Sequence, residues 1–319
     1  MKKIFFGTLA AAICLYVLPP EVLAAELIPV GEVIGLELSN GSVSVAEFDD
    51  FLGGPAQAAG LQIGDEILDI DGIAINSAED VRQALERSDG QVALRVLRQD
   101  REQTIRICPR ITAQGPRLGV GLRQGVTGIG TVTWYDPATG RFGSLGHGVN
   151  GPDGKLMDMS GGKAYEASVI SVKRGKCGEP GQLRGGVDGK TPIGSLEKNT
   201  ARGVFGQTNR GWQGKTMETA DRARPGEATI LSTVSGDSVQ EYSVEILKIY
   251  PHNKTEGRNL LLRVTDPRLL ESTGGIVQGM SGSPIIQDGK LVGAVTHVLV
   301  NDPTMGYGIF IENMLDAAA

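Results

Sequence analysis

Short apolar runs separated by glycine recur along the chain from about residue 117 onward, and no other feature limits the possible folds as strongly. The runs include LGVGL, GIGTVTWYD, FGSLGHGV, EATILSTV and NLLLRVT. Glycine accounts for 46 of the 319 residues, about twice the usual share of roughly 7%. Short runs with turns between them are typical of the strands of a sandwich or a barrel. We therefore predict a mainly β chain, long enough for two domains.

The first 25 residues have the features of an export signal. Lys2 and Lys3 precede an apolar stretch over residues 4–18, and small residues offer a cleavage site near Ala24 or Ala25. The stretch is shorter than the about 20 residues that span a bilayer, yet it could also stay uncleaved as an anchor. We expect an exported chain that is at first membrane-associated through this segment.

Charge and cysteine content narrow the class of partner. The formal net charge is −6. The sequence lacks the basic stripe with interleaved aromatic residues that is typical of a nucleic-acid-binding surface. Cys108 and Cys177 could pair in an exported chain. Neither stands beside a histidine or in a CxxC motif, so neither has the setting of a nucleophile or a metal ligand. We expect no metal and no cofactor.

Residues 27–111 have the order of a small binding module. The alternation from Val33 to Val45 around Asn40-Gly41 predicts a hairpin. AGLQIGDEILDIDG, residues 59–72, predicts a strand between two tight turns. SAEDVRQALERS predicts a helix with Ser77 as N-cap and Asp80 at the capping-box spacing. Two further strands follow, over residues 92–97 and 103–107.

This order resembles a PDZ domain, most specifically in GLQIGDEILDIDG. The resemblance implies that Ile34, Gly35 and Leu36 form the loop that receives a peptide's terminal carboxylate, with the peptide adding as a strand beside residues 36–45. The alternative is that Ile34 and Leu36 only fill the module's core. Pro109, Gly115 and Pro116 interrupt the chain next, and we place the domain boundary between Arg110 and Arg117.

The stretch QGMSGSPI, residues 278–285, combines two serines with turn residues between apolar flanks. A serine hydroxyl becomes a nucleophile when a base takes its proton and amide donors face the oxyanion that forms. The amides of Gly279 and Ser281 could form such an oxyanion hole in a sharply bent segment. The strand, turn and strand of PIIQDGKLVGAVTHV follow in the manner of chymotrypsin-like serine peptidases. The alternative is a glycine-rich turn with structural hydroxyls.

The base should be one of three histidines. His252 lies in a polar turn, YPHNKTEG, and His297 in an apolar strand where it would be packed or form a wall of the substrate cleft. His147 stands between two glycines in GSLGHGV, which gives an imidazole room to reach another loop. We predict His147 as the base.

The segment TDPRLLESTGGIVQGMSGSPIIQDGKLVGAVTHVLVNDPTMGYGIFIENML, with GSLGHG in mid-chain and the PDZ-like module, resembles the SpoIVB peptidases, the stage IV sporulation serine peptidases. The resemblance implies a chymotrypsin-like β-barrel peptidase domain over residues 117–319, with His147, Asp266 and Ser281 as catalytic triad. It also implies self-cleavage and action between forespore and mother cell. The expected partners are peptide or protein substrates, including the chain itself. Among them is a membrane-bound regulator of an intramembrane metalloprotease complex that activates a late sigma factor.

The acid has alternatives in the sequence itself. Asp266 precedes Pro267, an arrangement that also favours a helix N-cap, and Asp302 stands in a second Asp-Pro pair. A competing function keeps the fold without the chemistry: a PDZ adaptor with an inactive peptidase-like domain. Covalent labelling by a fluorophosphonate separates the two functions, because only an assembled serine site reacts.

Overall fold

The structure is a computed structural model of the 319-residue chain. It describes residues 26–99, 101–151, 154–189, 191–220, 223–253 and 257–319. The predicted export segment, residues 1–25, lies outside the described residues. No helix within these ranges has the length and hydropathy of a membrane-spanning segment.

Strands outnumber helices throughout the described chain. The elements before residue 120 are β1 (Glu26–Pro29), β2 (Val33–Phe48), α1 (Gly54–Ala58), β3 (Glu66–Ile70), β4 (Ile73–Ala74), α2 (Ala78–Glu86), β5 (Val92–Arg98), β6 (Arg101–Ile107), β7 (Arg110–Thr112) and β8 (Gly115–Arg117). The middle of the chain holds β9 (Val120–Tyr135), β10 (Arg141–Ser144), β11 (Gly161–Lys173), β12 (Gln182–Val187), β13 (Gly194–Thr200), β14 (Gly203–Thr208) and β15 (Met217–Glu218). The last part holds β16 (Gly226–Ser232), β17 (Gln240–Ile249), β18 (Leu260–Val264), α3 (Pro267–Thr273), β19 (Pro284–Gln287), β20 (Lys290–Leu299), β21 (Asp302–Phe310) and α4 (Ile311–Ala318).

Two rings of antiparallel strands form the peptidase part. In the first, pairing runs β2, β9, β10, β14, β13 and β11 and returns to β2, so that six strands close on themselves. The second is a closed barrel of β16, β17, β18, β21, β20 and β19. Closure removes free strand edges. The predicted mainly β fold with a barrel peptidase domain is confirmed.

A separate apolar cluster joins the two barrels. Leu27, Trp134 and Phe205 from the first barrel pack with Leu291 and Ile309 from the second, and α4 adds Ile311, Met314 and Ala318. Because this cluster is buried, a packed apolar interface holds the two barrels against each other. Loops from both rims can therefore face one cleft at fixed positions.

The PDZ module is inserted into the first barrel rather than placed before it. β2 and β9 are each 16 residues long. Their barrel halves pair from Val33–Thr131 to Leu38–Val126, and their outer halves pair from Val43–Gln124 to Phe48–Val120. The outer halves belong to the PDZ core with α2, β3 and β5. The same two strands thus continue from one domain into the other.

The predicted boundaries are wrong in two places as a result. Residues 27–38, assigned to the PDZ module, lie in the first barrel, where Ile28, Ile34 and Leu38 are buried. Leu118, placed after the boundary, packs in the PDZ core. The predicted hairpin at Asn40-Gly41 is also wrong: residues 39–42 form a bulge opposite Gly125, within one continuous strand.

The helix of the module agrees with the sequence pattern. Ser77 accepts a hydrogen bond from the N–H of Asp80 at 3.1 Å, and the carboxylate of Asp80 accepts one from the N–H of Asn76 at 3.0 Å. Val81, Ala84 and Leu85 are buried. The first bond satisfies a donor that a helix N-terminus leaves free, and the second ties Asp80 to the residue before the N-cap. Elsewhere, Cys108 and Cys177 are both exposed free thiols.

Candidate active site

Ser281 lies in the sharp turn before β19 of the second barrel. Gly279 and Gly282 have φ of +100° and +98°, in the region that favours glycine. A Cβ on Gly282 would also lie 2.0 Å from the carbonyl oxygen of Thr131 on β9. The backbone path itself therefore requires the glycines, and the turn packs directly against the first barrel.

The two serines of the turn have different surroundings. The hydroxyl of Ser281 donates to the carbonyl oxygen of Thr296 at 2.8 Å, and Ser281 lines a cavity. Ser283 has no exposed surface, and its hydroxyl donates to that of Ser232 at 3.0 Å. Only the first serine of the pair is accessible to a substrate.

Of the backbone N–H groups of residues 279–282, every second one donates a hydrogen bond within the protein. Met280 donates to Val277 and Gly282 to Val295. No acceptor within the described ranges takes the N–H of Gly279 or of Ser281. Two free amides on alternate residues of one bent segment are the donors that an oxyanion hole requires.

His147 lies in the loop that follows β10 of the first barrel. Leu145 before it has φ of +68°, an unusual conformation for a branched residue, and its N–H donates to Thr131 O at 3.2 Å. The imidazole of His147 is hydrogen-bonded through Nδ1 to the carbonyl oxygen of Gly148 at 2.9 Å. A carbonyl only accepts, so Nδ1 carries the proton and Nε2 is left as the proton acceptor of the ring. Burial lowers the pKa of His147, which the Gly148 carbonyl partly opposes.

The other two histidines take the positions predicted from sequence. His252 is exposed. His297 lines the same cavity as His147, with the ring centroids 5.3 Å apart, and its Nδ1 is buried without a partner among the described residues. Burial, with the neighbouring His147 and Arg258, lowers the pKa of His297 to about 4. Both imidazoles of the pair are therefore neutral at pH 7.

The cavity lies between the two barrels and has a volume of about 540 Å³, within the usual range for ligand pockets. Its polar members, besides Ser281, His147 and His297, are Asn150, Gln278 and Thr296. The remaining side chains in its wall are apolar: Leu36, Leu38, Val126, Ile129, Leu145, Val149, Pro180, Ile276, Val277, Val298 and Val300. The described residues that line it include no Asp, Glu, Lys or Arg.

Asp266 is not among those lining residues. It is the N-cap of α3, where its carboxylate accepts hydrogen bonds from the N–H, Nε and Nη2 of Arg268 at 2.8–3.1 Å and from Ser243 N at 3.3 Å. The Arg268 guanidinium lowers the pKa of Asp266 to about 2 against the cost of burial. The structure brings Ser281 and His147 to one cavity and does not bring Asp266 to them. The triad acid implied by the resemblance stays a prediction, and this geometry favours a structural role.

A profile of the SpoIVB peptidase S55 family matches residues 114–315. The match covers more than half of the chain, including both Ser281 and His147. The chain belongs to the SpoIVB peptidase family. A PDZ profile matches residues 52–98, so the chain is a PDZ-containing serine peptidase.

Solved structures with some likeness to this SpoIVB peptidase are distant. The inactive form of Rv3671c protease has a TM-score of 0.37 and 14% identity, over 60% of this chain and 82% of that one. The active form from M. tuberculosis has the same score and identity, over 75% and 84%. Likeness this low carries no information about the present site. No curated protein matches the sequence significantly.

Within this SpoIVB peptidase, Ile34, Gly35 and Leu36 do not form a peptide-binding loop, and that prediction is wrong. The segment lies in β2, where Ile34 pairs with Gly130 on one side and Glu166 on the other. Both backbone edges are thus occupied. The alternative, that Ile34 and Leu36 fill a core, is correct, although the core is that of the first barrel.

A better candidate for the PDZ groove lies between α2 and the start of β9. The N–H of Asp49 donates to the carbonyl of Gly119 at 2.9 Å, which makes Phe48–Val120 a non-hydrogen-bonded pair. The N–H and C=O of Val120 therefore point away from β2. They face a cavity of about 670 Å³ that residues 118–122 line together with Val81, Arg82 and Leu85. The signal that sequence reasoning missed is RLGVGL, residues 117–122, which runs into the first three residues of β9.

Proposed function

We propose that this SpoIVB peptidase is an exported serine endopeptidase with Ser281 as nucleophile, His147 as general base and the amides of Gly279 and Ser281 as oxyanion hole. One observation carries the proposal. A serine on a loop of one barrel and a histidine on a loop of the other line the same cavity, beside two amides that donate to no acceptor among the described residues.

The chemistry begins with a rotation of the Ser281 hydroxyl away from Thr296 O. Nε2 of His147 then takes the hydroxyl proton as Oγ attacks the scissile carbonyl carbon, and the Gly279 and Ser281 amides hold the resulting oxyanion. The imidazolium returns that proton to the leaving amine, and an acyl-enzyme remains on Ser281. Nε2 then deprotonates a water that attacks the ester, and it returns this proton to Oγ as the bond between the acyl group and Ser281 breaks. The Gly148 carbonyl keeps the Nδ1–H tautomer throughout.

The lining of the cavity supports a preference for an uncharged, apolar residue before the scissile bond. Apolar side chains from both barrels form its wall, and none of the described lining residues carries a charge that could pair with a basic or acidic side chain. An unpaired charge in such a pocket would lose its hydration without compensation.

The PDZ module binds an extended peptide in this proposal, at the groove between α2 and the start of β9. A strand added there would bond to the N–H and C=O of Val120. The bound segment controls when the peptidase acts or what it cleaves, and a segment of the chain itself is one such ligand.

The finer biological role follows from the family resemblance. The chain first cleaves itself upstream of the barrels and is released between forespore and mother cell. It then cleaves a membrane-bound regulator, so that an intramembrane metalloprotease activates a late sigma factor.

Two measurements test the proposal. Purified full-length protein is labelled with a fluorophosphonate, and a parallel sample is incubated without substrate and its new N-termini are sequenced. Ser281→Ala should abolish both labelling and new N-termini while its circular dichroism spectrum stays unchanged. A wild-type chain that folds but never labels would instead support the inactive PDZ adaptor.

A further inference from the structure

We propose that Thr131 is a positioning residue that holds the oxyanion hole of this enzyme in its active arrangement. The inference rests on the proposed function, since it assigns roles to Ser281, His147 and Gly279. Thr131 lies in the barrel half of β9 and has no exposed surface. It does not line the cavity, so it acts through the loops that do.

Thr131 contacts the nucleophile turn twice. Its N–H donates to the carbonyl oxygen of Ser281 at 3.1 Å, and its hydroxyl donates to the carbonyl oxygen of Gly279 at 2.9 Å. Both acceptors belong to the residues whose amides form the proposed oxyanion hole. One side chain and one backbone group of the first barrel thus fix two peptide units of the second.

The same residue also contacts the loop of the base. The carbonyl oxygen of Thr131 accepts a hydrogen bond from Leu145 N at 3.2 Å, two residues before His147. Gly282 packs against that carbonyl so closely that a Cβ would lie 2.0 Å from it. Thr131 is therefore where the two catalytic loops share a support.

The backbone hydrogen bonds of Thr131 do not depend on its side chain. A substitution at this position therefore removes only the hydrogen bond made by the hydroxyl. Gly279 has φ of +100°, and a glycine there permits backbone rotations that other residues resist. The hydroxyl holds the carbonyl of Gly279 and so limits rotation of the peptide units on either side. Loss of one oxyanion donor reduces turnover by roughly 10²–10³-fold, and a donor that is only loosened should cost about 10-fold or more.

The chain offers a matched control on the same strand. Thr133 is two residues further along β9 and equally buried, and its hydroxyl has no partner among the described residues. Thr131→Val and Thr133→Val remove the same atom from two buried sites of one strand. Only the first removes a contact to the nucleophile turn.

The test measures fluorophosphonate labelling of the full chain as a function of probe concentration and pH. Thr131→Val should lower the maximal labelling rate about 10-fold or more. Its half-saturating probe concentration and the pH midpoint set by His147 should stay unchanged. Thr131→Ser should restore most of the rate because it keeps the hydroxyl, and Thr133→Val should label as the wild type does.

The inference would be overturned, with the proposed function intact, by wild-type labelling in Thr131→Val, by a rate as low for Thr131→Ser as for Thr131→Val, or by an equal loss in Thr133→Val. A shifted pH midpoint in Thr131→Val would overturn it as well, because the hydroxyl would then act through His147. A folded wild type that does not label overturns the proposed function, and the inference with it.

Discussion

Replacing Asp266 by asparagine separates a structural carboxylate from a catalytic one. The Arg268 guanidinium and two backbone amides lower the pKa of Asp266 from 3.8 to about 2, and the side chain is 7% exposed. At 1.36 kcal/mol per pKa unit, the charged form stabilises the fold by about 2 kcal/mol. Asparagine keeps one cap acceptor but loses the charge. We expect Asp266→Asn to lower the free energy of unfolding by about 2 kcal/mol at pH 7.

The stabilisation by charged Asp266 depends on pH in a direction that follows from its lowered pKa. Because the folded-state pKa is depressed, the contribution of Asp266 is complete above pH 4 and is lost as the pH falls from about 4 to 2. Urea unfolding at pH 7, 5, 4 and 3 should therefore show wild type and variant converging only in acid. Glu245→Gln is the control, because its exposed pair with Arg263 should contribute less than about 1 kcal/mol.

Fluorophosphonate labelling of Asp266→Asn tests whether the carboxylate is catalytic. The hydrogen bonds of Asp266 go to α3 and β17 rather than to His147, so folded Asp266→Asn should keep fluorophosphonate labelling to within about 10-fold. Loss of a triad acid costs about 10⁴-fold in turnover in the template case. A folded variant that loses labelling on that scale would refute the structural role, and Asp266 would then have to approach His147 in a conformation other than this one.

Four further outcomes are expected. Ser283→Ala should label normally and lose about 1 kcal/mol of stability with its bond to Ser232; loss of labelling in calorimetrically intact protein would contradict the assignment of the two serines. His147→Ala should not be labelled by the fluorophosphonate, whereas His297→Ala should be. Because burial lowers the pKa of His147, the labelling rate of the wild type should fall only below pH 6.5. A midpoint of the pH profile above 6.5 would argue against His147 as the base. In thermal unfolding, Gly282→Ala should lower the stability by about 3 kcal/mol, since the strain of a positive φ adds to a clash with Thr131 O. Gly289→Ala, which has open space around it, should lower the stability by about 1 kcal/mol. Equal losses would show that the contact between Gly282 and Thr131 is not tight. Replacing residues 39–125 by an Asn-Gly turn between the paired residues Leu38 and Val126 should leave a two-barrel protein that still labels at Ser281; an unfolded product would mean that the barrels require the PDZ module.

Local chemistry in the sequence predicts those parts of the site that depend on local geometry. The cap at Ser77 and the positive φ of Gly146, Gly279 and Gly282 are properties of a few neighbouring residues. The same local signals fail at Asn40-Gly41. Turn residues fit a bulge as well as a hairpin, and only the distant partner strand β9 decides between them.

The support of the site could not be predicted for the same reason. Thr131 lies in an ordinary alternating strand, and its partners Ser281 and Gly279 come from the other end of the chain. The Asp-Pro pair at 266 allowed both a cap and a catalytic acid, and the sequence contains nothing about where α3 lies relative to His147. Contacts between remote segments decide both roles.

The insertion of the PDZ module into the ribbon of β2 and β9 also predicts an order of folding. During synthesis, the barrel half of β2 emerges long before its partner on β9. Closing so long a loop costs on the order of 4 kcal/mol by the (3/2)RT ln n relation. A PDZ module that folds first brings Leu38 and Val126 opposite each other, so the barrel then closes over only a few residues. We therefore expect that a substitution which destabilises the PDZ module slows assembly of the barrels, even where it lies far from the active site.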